Sequence, residues 1–177
     1  LGMELHAKYT VFAEGARGHL GKQVIAKYSL DANRDPQTYG IGIKELWEID
    51  PARHKPGMVV HTAGWPLSMV DSENTGGSFL YHLENNQVVV GLIVDLSYSN
   101  AYLSPFDEFQ RYKHHPAVAE HLEGGPRVSY RARAFTEGGF QSVPQLAFPG
   151  RALIGCSSCF VIVPPLHRTH NALYTCM

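Results

Sequence analysis

A chain of 177 residues, 44% hydrophobic and 18% charged, is long enough to bury a real core and too apolar to stay disordered. A formal net charge of −1 with dispersed basic residues excludes a basic face for nucleic acid, and no run approaches the roughly 18 apolar residues of a membrane-spanning helix. Three cysteines, Cys156, Cys159 and Cys176, crowd the C-terminal end, so no disulfide framework staples the body and a reducing compartment is favoured.

The chain opens on Leu1 with no signal or transit segment and stops at Thr175-Cys176-Met177, just after what reads as the first turn of a helix. Both ends are those expected of a fragment. Lys8 to Ala13 is a short β-branched and aromatic run. It is followed by a glycine-rich stretch, Glu14 to Gln23, and a helical pattern over Val24 to Tyr28. Strand, glycine turn and helix in that order can present backbone N–H groups to a phosphate or a cofactor edge. The spacing is G-x-x-G, not the full dinucleotide fingerprint, so a tight strand-to-helix connection stands equally.

Thr38 to Ile49 alternates as a strand and ends at Asp50-Pro51; Met58 to Gly64 is the next strand. Gly76 to Leu83 alternates again, Glu84-Asn85-Asn86 supplies turn chemistry, and Gln87 to Val94 returns as a more deeply buried strand. Strands joined without intervening helices predict an antiparallel sheet. The pair Gly76-Gly77 admits two readings. It is a loop entering a hairpin, or a corner without Cβ atoms where a flat ring meets backbone N–H groups.

Ser104-Pro105 starts a helix, with Ser as cap, Pro at the first position and Asp107 and Glu108 in the first turn. Phe106, Phe109, Tyr112 and Lys113 give it an aromatic stripe that reads as packing. His115-Pro116 breaks it, and a second short helix, Ala117 to Leu122, ends at Gly124-Gly125-Pro126. Arg127 to Phe135 is another alternating strand, and Ala152-Leu153-Ile154 a short buried one that runs directly into Gly155-Cys156. Two strand-to-glycine junctions flanking a sheet predict a nucleotide-binding layer interrupted by an inserted sheet domain.

Long segments then carry a resemblance: HAKYTVFAEGARGHLGKQ, PQTYGIGIKELWEID, HTAGWPL, GGSFLYHL, NAYLSPFDEFQRYKHHP, LEGG, EGGFQSVPQLAFPG and LIGCS. In this order they resemble the middle of the electron transfer flavoprotein–ubiquinone oxidoreductases. The resemblance implies an α+β chain, an antiparallel sheet with helices on one side, flanked by pieces of an FAD-binding α/β layer. It implies boundaries of 1–36 (partial FAD layer), 37–147 (ubiquinone-binding sheet) and 148–177 (partial FAD layer). It also implies an oxidoreductase that takes electrons from electron transfer flavoprotein through FAD and a [4Fe–4S] cluster to ubiquinone. Such an enzyme is monotopic at a membrane surface: the matrix side of the mitochondrial inner membrane, or the bacterial cytoplasmic membrane. The family's G-x-G-x-x-G unit, its membrane-facing elements and its cluster ligands would lie outside this segment, so the chain alone is expected to bind no flavin.

Residue by residue, Gly76 and Gly77 match the glycine pair at the quinone head group. Glu14, Gly15 and Gly18 match an FAD-side turn, Gly155 and Cys156 a later FAD junction, and Thr169 and His170 the end of that motif near the flavin ring. Where the family reads roughly GCSPGFMNVPKIKGTH, this chain reads GCSSCFVIVPPLHRTH. Ser158, Cys159, Ile162 and Arg168 thus replace proline, glycine, asparagine and glycine. That departure keeps a second reading open, a non-catalytic remnant of the family; a FixC-type dehydrogenase or geranylgeranyl reductase is a third. Cys156-x-x-Cys159 has metal-like spacing but too few thiolates for a [4Fe–4S] site. His114 and His115 read as helix-end residues, and His82 as a packed strand histidine or a proton donor during quinone reduction.

Overall fold

The computed structural model describes residues 2–67 and 75–158. Along the chain these form β1 (Thr10–Phe12), α1 (His19–Tyr28), β2 (Tyr39–Glu48), β3 (Val59–Ala63), β4 (Gly76–His82), β5 (Gln87–Asp95), α2 (Pro105–Lys113), α3 (Pro116–Leu122), β6 (Arg127–Thr136), β7 (Ala147–Phe148) and β8 (Arg151–Leu153). They fall into two compact units, Gly40–Ala134 and the two chain ends Leu1–Tyr39 with Phe135–Met177.

The larger unit is built on a five-stranded sheet in the order β3-β4-β5-β2-β6. The β4–β5 hairpin is its centre, with Gly76 opposite Val94 and His82 opposite Val88. Asn85 and Asn86 close it at φ 56° and 54°, a pair of left-handed residues whose twist suits a two-residue turn. The two-residue period then sorts the side chains. Ser78, Leu80 and His82 point to one face together with Val88, Val90, Leu92 and Val94, all of them buried. Helices α2 and α3 cover this face through Phe109, Tyr112, Val118 and Leu122. Full burial of each of those β5 side chains contributes about 1.5–3 kcal/mol. On the opposite face Phe79 and Tyr81 stack with ring centroids 4.9 Å apart.

Helix α2 starts as its residues dictate. Ser104 Oγ accepts from the Asp107 amide at 3.3 Å, and Pro105 holds the first position. The stripe expected on this helix is only partly internal. Phe109 and Tyr112 are buried, whereas Phe106 faces solvent. His114 ends α2, and His115 caps α3 with its Nδ1 accepting from the Ala117 amide at 3.2 Å.

In the smaller unit β1 lies parallel to β8, Thr10 opposite Arg151 and Phe12 opposite Leu153, and β7 adds antiparallel to β8. Phe12, Leu30, Phe148 and Leu153 form its core. Helix α1 begins at His19, five residues before the helical pattern expected from Val24. The reason is Glu14, whose carboxylate accepts from the amides of Leu20 (3.3 Å) and Gly21 (2.6 Å) and so caps the first turn from outside the helix.

Candidate functional site

The smaller unit sets two glycine junctions side by side. Because β1 and β8 are parallel neighbours, Glu14-Gly15 and Gly155-Cys156 both leave carboxyl ends of strands, the edge at which open α/β sheets receive ligands. Gly15 and Gly155 have φ of 89° and 60°, in the left-handed region that glycine enters without strain. Ser157 ties them: its Oγ accepts from the Gly15 amide at 3.0 Å and donates to the Gly15 carbonyl at 3.1 Å. A cavity of about 470 Å³ opens beside this pair, lined by Gly15, Arg17, Gly18, Lys22, Arg34 and Gln37 among others. Gln37 Oε1 accepts from the Gly138 amide at 2.6 Å, but its buried Nε2 has no partner. The cavity therefore joins backbone turns, the cations Arg17, Lys22 and Arg34, the carboxylates Asp31 and Asp35 and an unsatisfied amide donor, which suits a polar ligand rich in hydrogen-bonding groups. Glu14 is committed to α1, so its carboxylate acts on the helix end. Thr169, His170, Cys159, Ile162 and Arg168 lie outside the described residues. Cys156 is a free cysteine, and among the described residues no cluster of three or more His, Cys, Asp or Glu could hold a metal ion.

The glycine pair of the larger unit lies within β4, flanked by β3 and β5, with Gly77 opposite both Ala63 and Ile93. The Asp95 amide donates to the Thr75 carbonyl at 3.1 Å, which fixes the alternation of the ladder and turns the Gly77 amide toward Ile93. The Gly76 amide faces the other way, to the point where β3 runs out. There Gly64, at φ 89°, leaves the strand and donates to the Gly76 carbonyl at 3.3 Å. Strand amides lie in the plane of a sheet, so a ring laid flat on the bare glycines would not meet them. A carbonyl oxygen reaches the Gly76 amide only edge-on, past the end of β3. The surface bared by Gly76 is itself used: a Cβ there would collide with Leu67 Cδ1 and the Ile93 carbonyl.

The other end of β4 carries a histidine pair that sequence spacing did not foreshadow. His82 Nδ1 accepts from the Lys55 amide at 3.1 Å, which places the neutral ring's proton on Nε2, 3.3 Å from His121 Nδ1. His121 Nε2 then faces Glu120 Oε1 at 3.3 Å. Burial pushes the pKa of His82 below the ordinary histidine value, and the nearby His121, His54 and Lys55 add to this. Burial lowers His121 too, with Glu120 opposing and Lys55 assisting. Six residue steps of roughly 3.3 Å put His82 about 20 Å from Gly76 along the strand. The notion that His82 supplies a proton to a ring at the glycine pair does not survive that distance.

Against known proteins, the profile of a family described as "ETF-QO, ubiquinone-binding" matches residues 39–135, more than half of the chain. The chain belongs to the electron transfer flavoprotein–ubiquinone oxidoreductase family. It is 66% identical over 172 residues to the electron transfer flavoprotein–ubiquinone oxidoreductase of Pseudomonas aeruginosa, covering 97% of this chain and 31% of that protein. To the mitochondrial enzyme of Homo sapiens it is 59% identical over 174 residues, covering 97% and 28%. The chain thus spans about a third of the length of the curated relatives it matches. Among solved structures it is similar to a geranylgeranyl bacteriochlorophyll reductase-like protein from Thermoplasma acidophilum, with a TM-score of 0.60, 14% identity, and 88% and 35% of the two chains covered. The flavin-dependent brominase Bmp2 gives 0.59 and 12%, covering 98% and 42%. At such identities the likeness concerns the fold, and it agrees with the α+β arrangement of one antiparallel sheet and helices. No described helix is long and apolar enough to cross a membrane.

Proposed function

We propose that the chain is the quinone-side segment of an electron-transferring-flavoprotein dehydrogenase. Such an enzyme passes electrons from electron transfer flavoprotein, through FAD and a [4Fe–4S] cluster, to ubiquinone at a membrane surface. That surface is the mitochondrial inner membrane on its matrix side, or the bacterial cytoplasmic membrane. The observation that carries the reading is the match of the ubiquinone-binding family over residues 39–135, the stretch that builds the five-stranded sheet.

In this reading the β4 entrance receives the quinone. The Gly76 amide meets a carbonyl oxygen that gains electron density on reduction, and a fixed N–H donor stabilises such an oxygen without having to reorganise. Gly77 keeps the adjoining surface free of a side chain. The ends of the chain, 1–36 and 148–177, contribute one wall of a flavin site. Gly15, Gly155 and Cys156 offer backbone at adjacent strand ends, Gly18 opens α1, and Glu14 holds that helix in place. The unsatisfied Gln37 amide, with the cations Arg17, Lys22 and Arg34 and the carboxylates Asp31 and Asp35 of the same cavity, fits a polar cofactor that both donates and accepts hydrogen bonds. FAD, when bound, supplies the two-electron to one-electron exchange. The cluster ligands are assigned to parts of the enzyme other than this segment.

Replacing the matching segment of the Pseudomonas aeruginosa relative by residues 39–135 of this chain tests the reading. The chimera is expected to retain flavin and to reduce ubiquinone with electrons from reduced electron transfer flavoprotein. A chimera that keeps its flavin and accepts electrons but cannot reduce quinone overturns the reading, and favours a non-catalytic remnant.

A further inference from the structure

A hollow of about 250 Å³ lies between the β3–β4 side of the sheet and the pair α2–α3. Val60 and Leu80 come from the strands, Tyr112 and Val118 from the helices, while Trp65 and His115, both exposed, stand at its outer side. No Asp, Glu, Lys or Arg lines it. Tyr112 is only 2% exposed, yet its buried hydroxyl has no hydrogen-bond partner. A buried hydroxyl left so destabilises the fold, because it has given up water for nothing.

Most of the other polar groups of the hollow are committed, and the remaining ring N–H positions, on Trp65 and His115, belong to exposed residues at its outer side. Thr62 Oγ1 is hydrogen-bonded to Ser78 Oγ, and His115 Nδ1 takes the Ala117 amide. His121 is engaged at both nitrogens, by His82 and by Glu120. That leaves the Tyr112 hydroxyl as the fixed donor of the buried inner wall, which is otherwise apolar and carries no Asp, Glu, Lys or Arg. An ion would lose its hydration there without a counter-charge, so the occupant is neutral. As to size, an apolar cavity of about 150 Å³ in another protein accepts benzene.

We propose that this hollow is a binding site for a neutral single ring bearing a carbonyl oxygen, held by a hydrogen bond from Tyr112 and by contact with Val60, Leu80 and Val118. A quinone head group falls in this class, which would make the hollow a second ring site. It lies on the helix-covered face of the sheet and does not use the Gly76 amide, so it stands independently of the function proposed above.

The test titrates isotope-labelled chain with acetophenone, and with ethylbenzene as a probe of similar shape lacking the carbonyl, following the methyl signals of Leu80 and Val118. Tyr112→Phe keeps the ring and removes the donor; Ala117→Phe fills the hollow from an exposed helix position. Acetophenone is expected to bind the wild-type chain saturably and roughly 2- to 12-fold more weakly in Tyr112→Phe, the span of one hydrogen bond. Ethylbenzene should bind those two forms alike, and Ala117→Phe should abolish both responses. No saturable shift with either probe would mean that the hollow holds only water and would overturn the proposal. Equal acetophenone affinity in the wild-type chain and Tyr112→Phe would overturn it as well. Neither result bears on quinone reduction, which this titration does not read.

Discussion

Glu45 on β2 and Lys113 at the end of α2 meet at 2.8 Å, their side chains only 2% and 11% exposed. The same carboxylate accepts from Trp47 Nε1 at 2.9 Å and from Arg127 at 3.2 Å, while the Lys113 ammonium lies over the rings of Phe109 and Trp47. One buried anion thus fixes a strand, a helix and the start of β6 to one another. Removing one partner of such a pair strands a charge, at about 3–5 kcal/mol. Arg127 remains in Lys113→Met, so urea unfolding at neutral pH should show a loss near the lower figure, about 3 kcal/mol. The double variant Glu45→Met/Lys113→Met should regain most of it, because no charge is then left buried.

The pair His82–His121 gives the larger unit an acid limit. Both pKa values are lowered in the folded chain, so the unfolded chain binds protons first as pH falls. Stability from these groups is therefore fully present above the ordinary histidine value of about 6.5 and is lost as pH drops below it toward the lowered folded values. Denaturation midpoints should fall between pH 7.5 and 5.5, and His121→Gln should flatten that dependence. A midpoint independent of pH in the wild-type chain would contradict the buried neutral pair.

Gly76 and Gly77 should respond differently to alanine. At Gly76 the new methyl meets the Leu67 side chain and the Ile93 carbonyl, one of which is backbone and cannot move aside. Thermal unfolding should show a cost of about 1–3 kcal/mol, as for other overpacked sites. At Gly77 the nearest atom is the Thr62 carbonyl at 3.1 Å, and the cost should stay within about 1 kcal/mol.

Glu14 holds α1 by accepting from the Leu20 and Gly21 amides. Glu14→Ala should cost about 1 kcal/mol, the usual worth of a helix cap, and should speed hydrogen exchange at those two amides. Unchanged exchange there would remove the capping role.

What the sequence disclosed was what local chemistry decides. Asn85-Asn86 made the hairpin, the apolar run ending at Val94 read as the more deeply buried strand, and Ser104-Pro105 opened α2. What it hid was long-range. Glu45 sits in an alternating strand like any polar residue, and nothing near it in sequence announces Lys113, 68 residues on. His82 and His121 meet across 39 residues, and the Tyr112 hydroxyl becomes an orphan only once β3 and α3 have closed around it. The glycine pair was visible, but not the direction of its amides, because register rather than composition turns Gly76 toward the end of β3. The start of α1 was misplaced for a similar reason: its cap comes from Glu14, outside the helix.

The most direct test of the proposed quinone site is a KM and kcat measurement for ubiquinone in the chimera carrying Gly77→Ala, a change the fold should tolerate. The proposed function predicts that the quinone KM rises while reduction of the bound flavin by electron transfer flavoprotein keeps its rate. A folded variant with an unchanged quinone KM would contradict it.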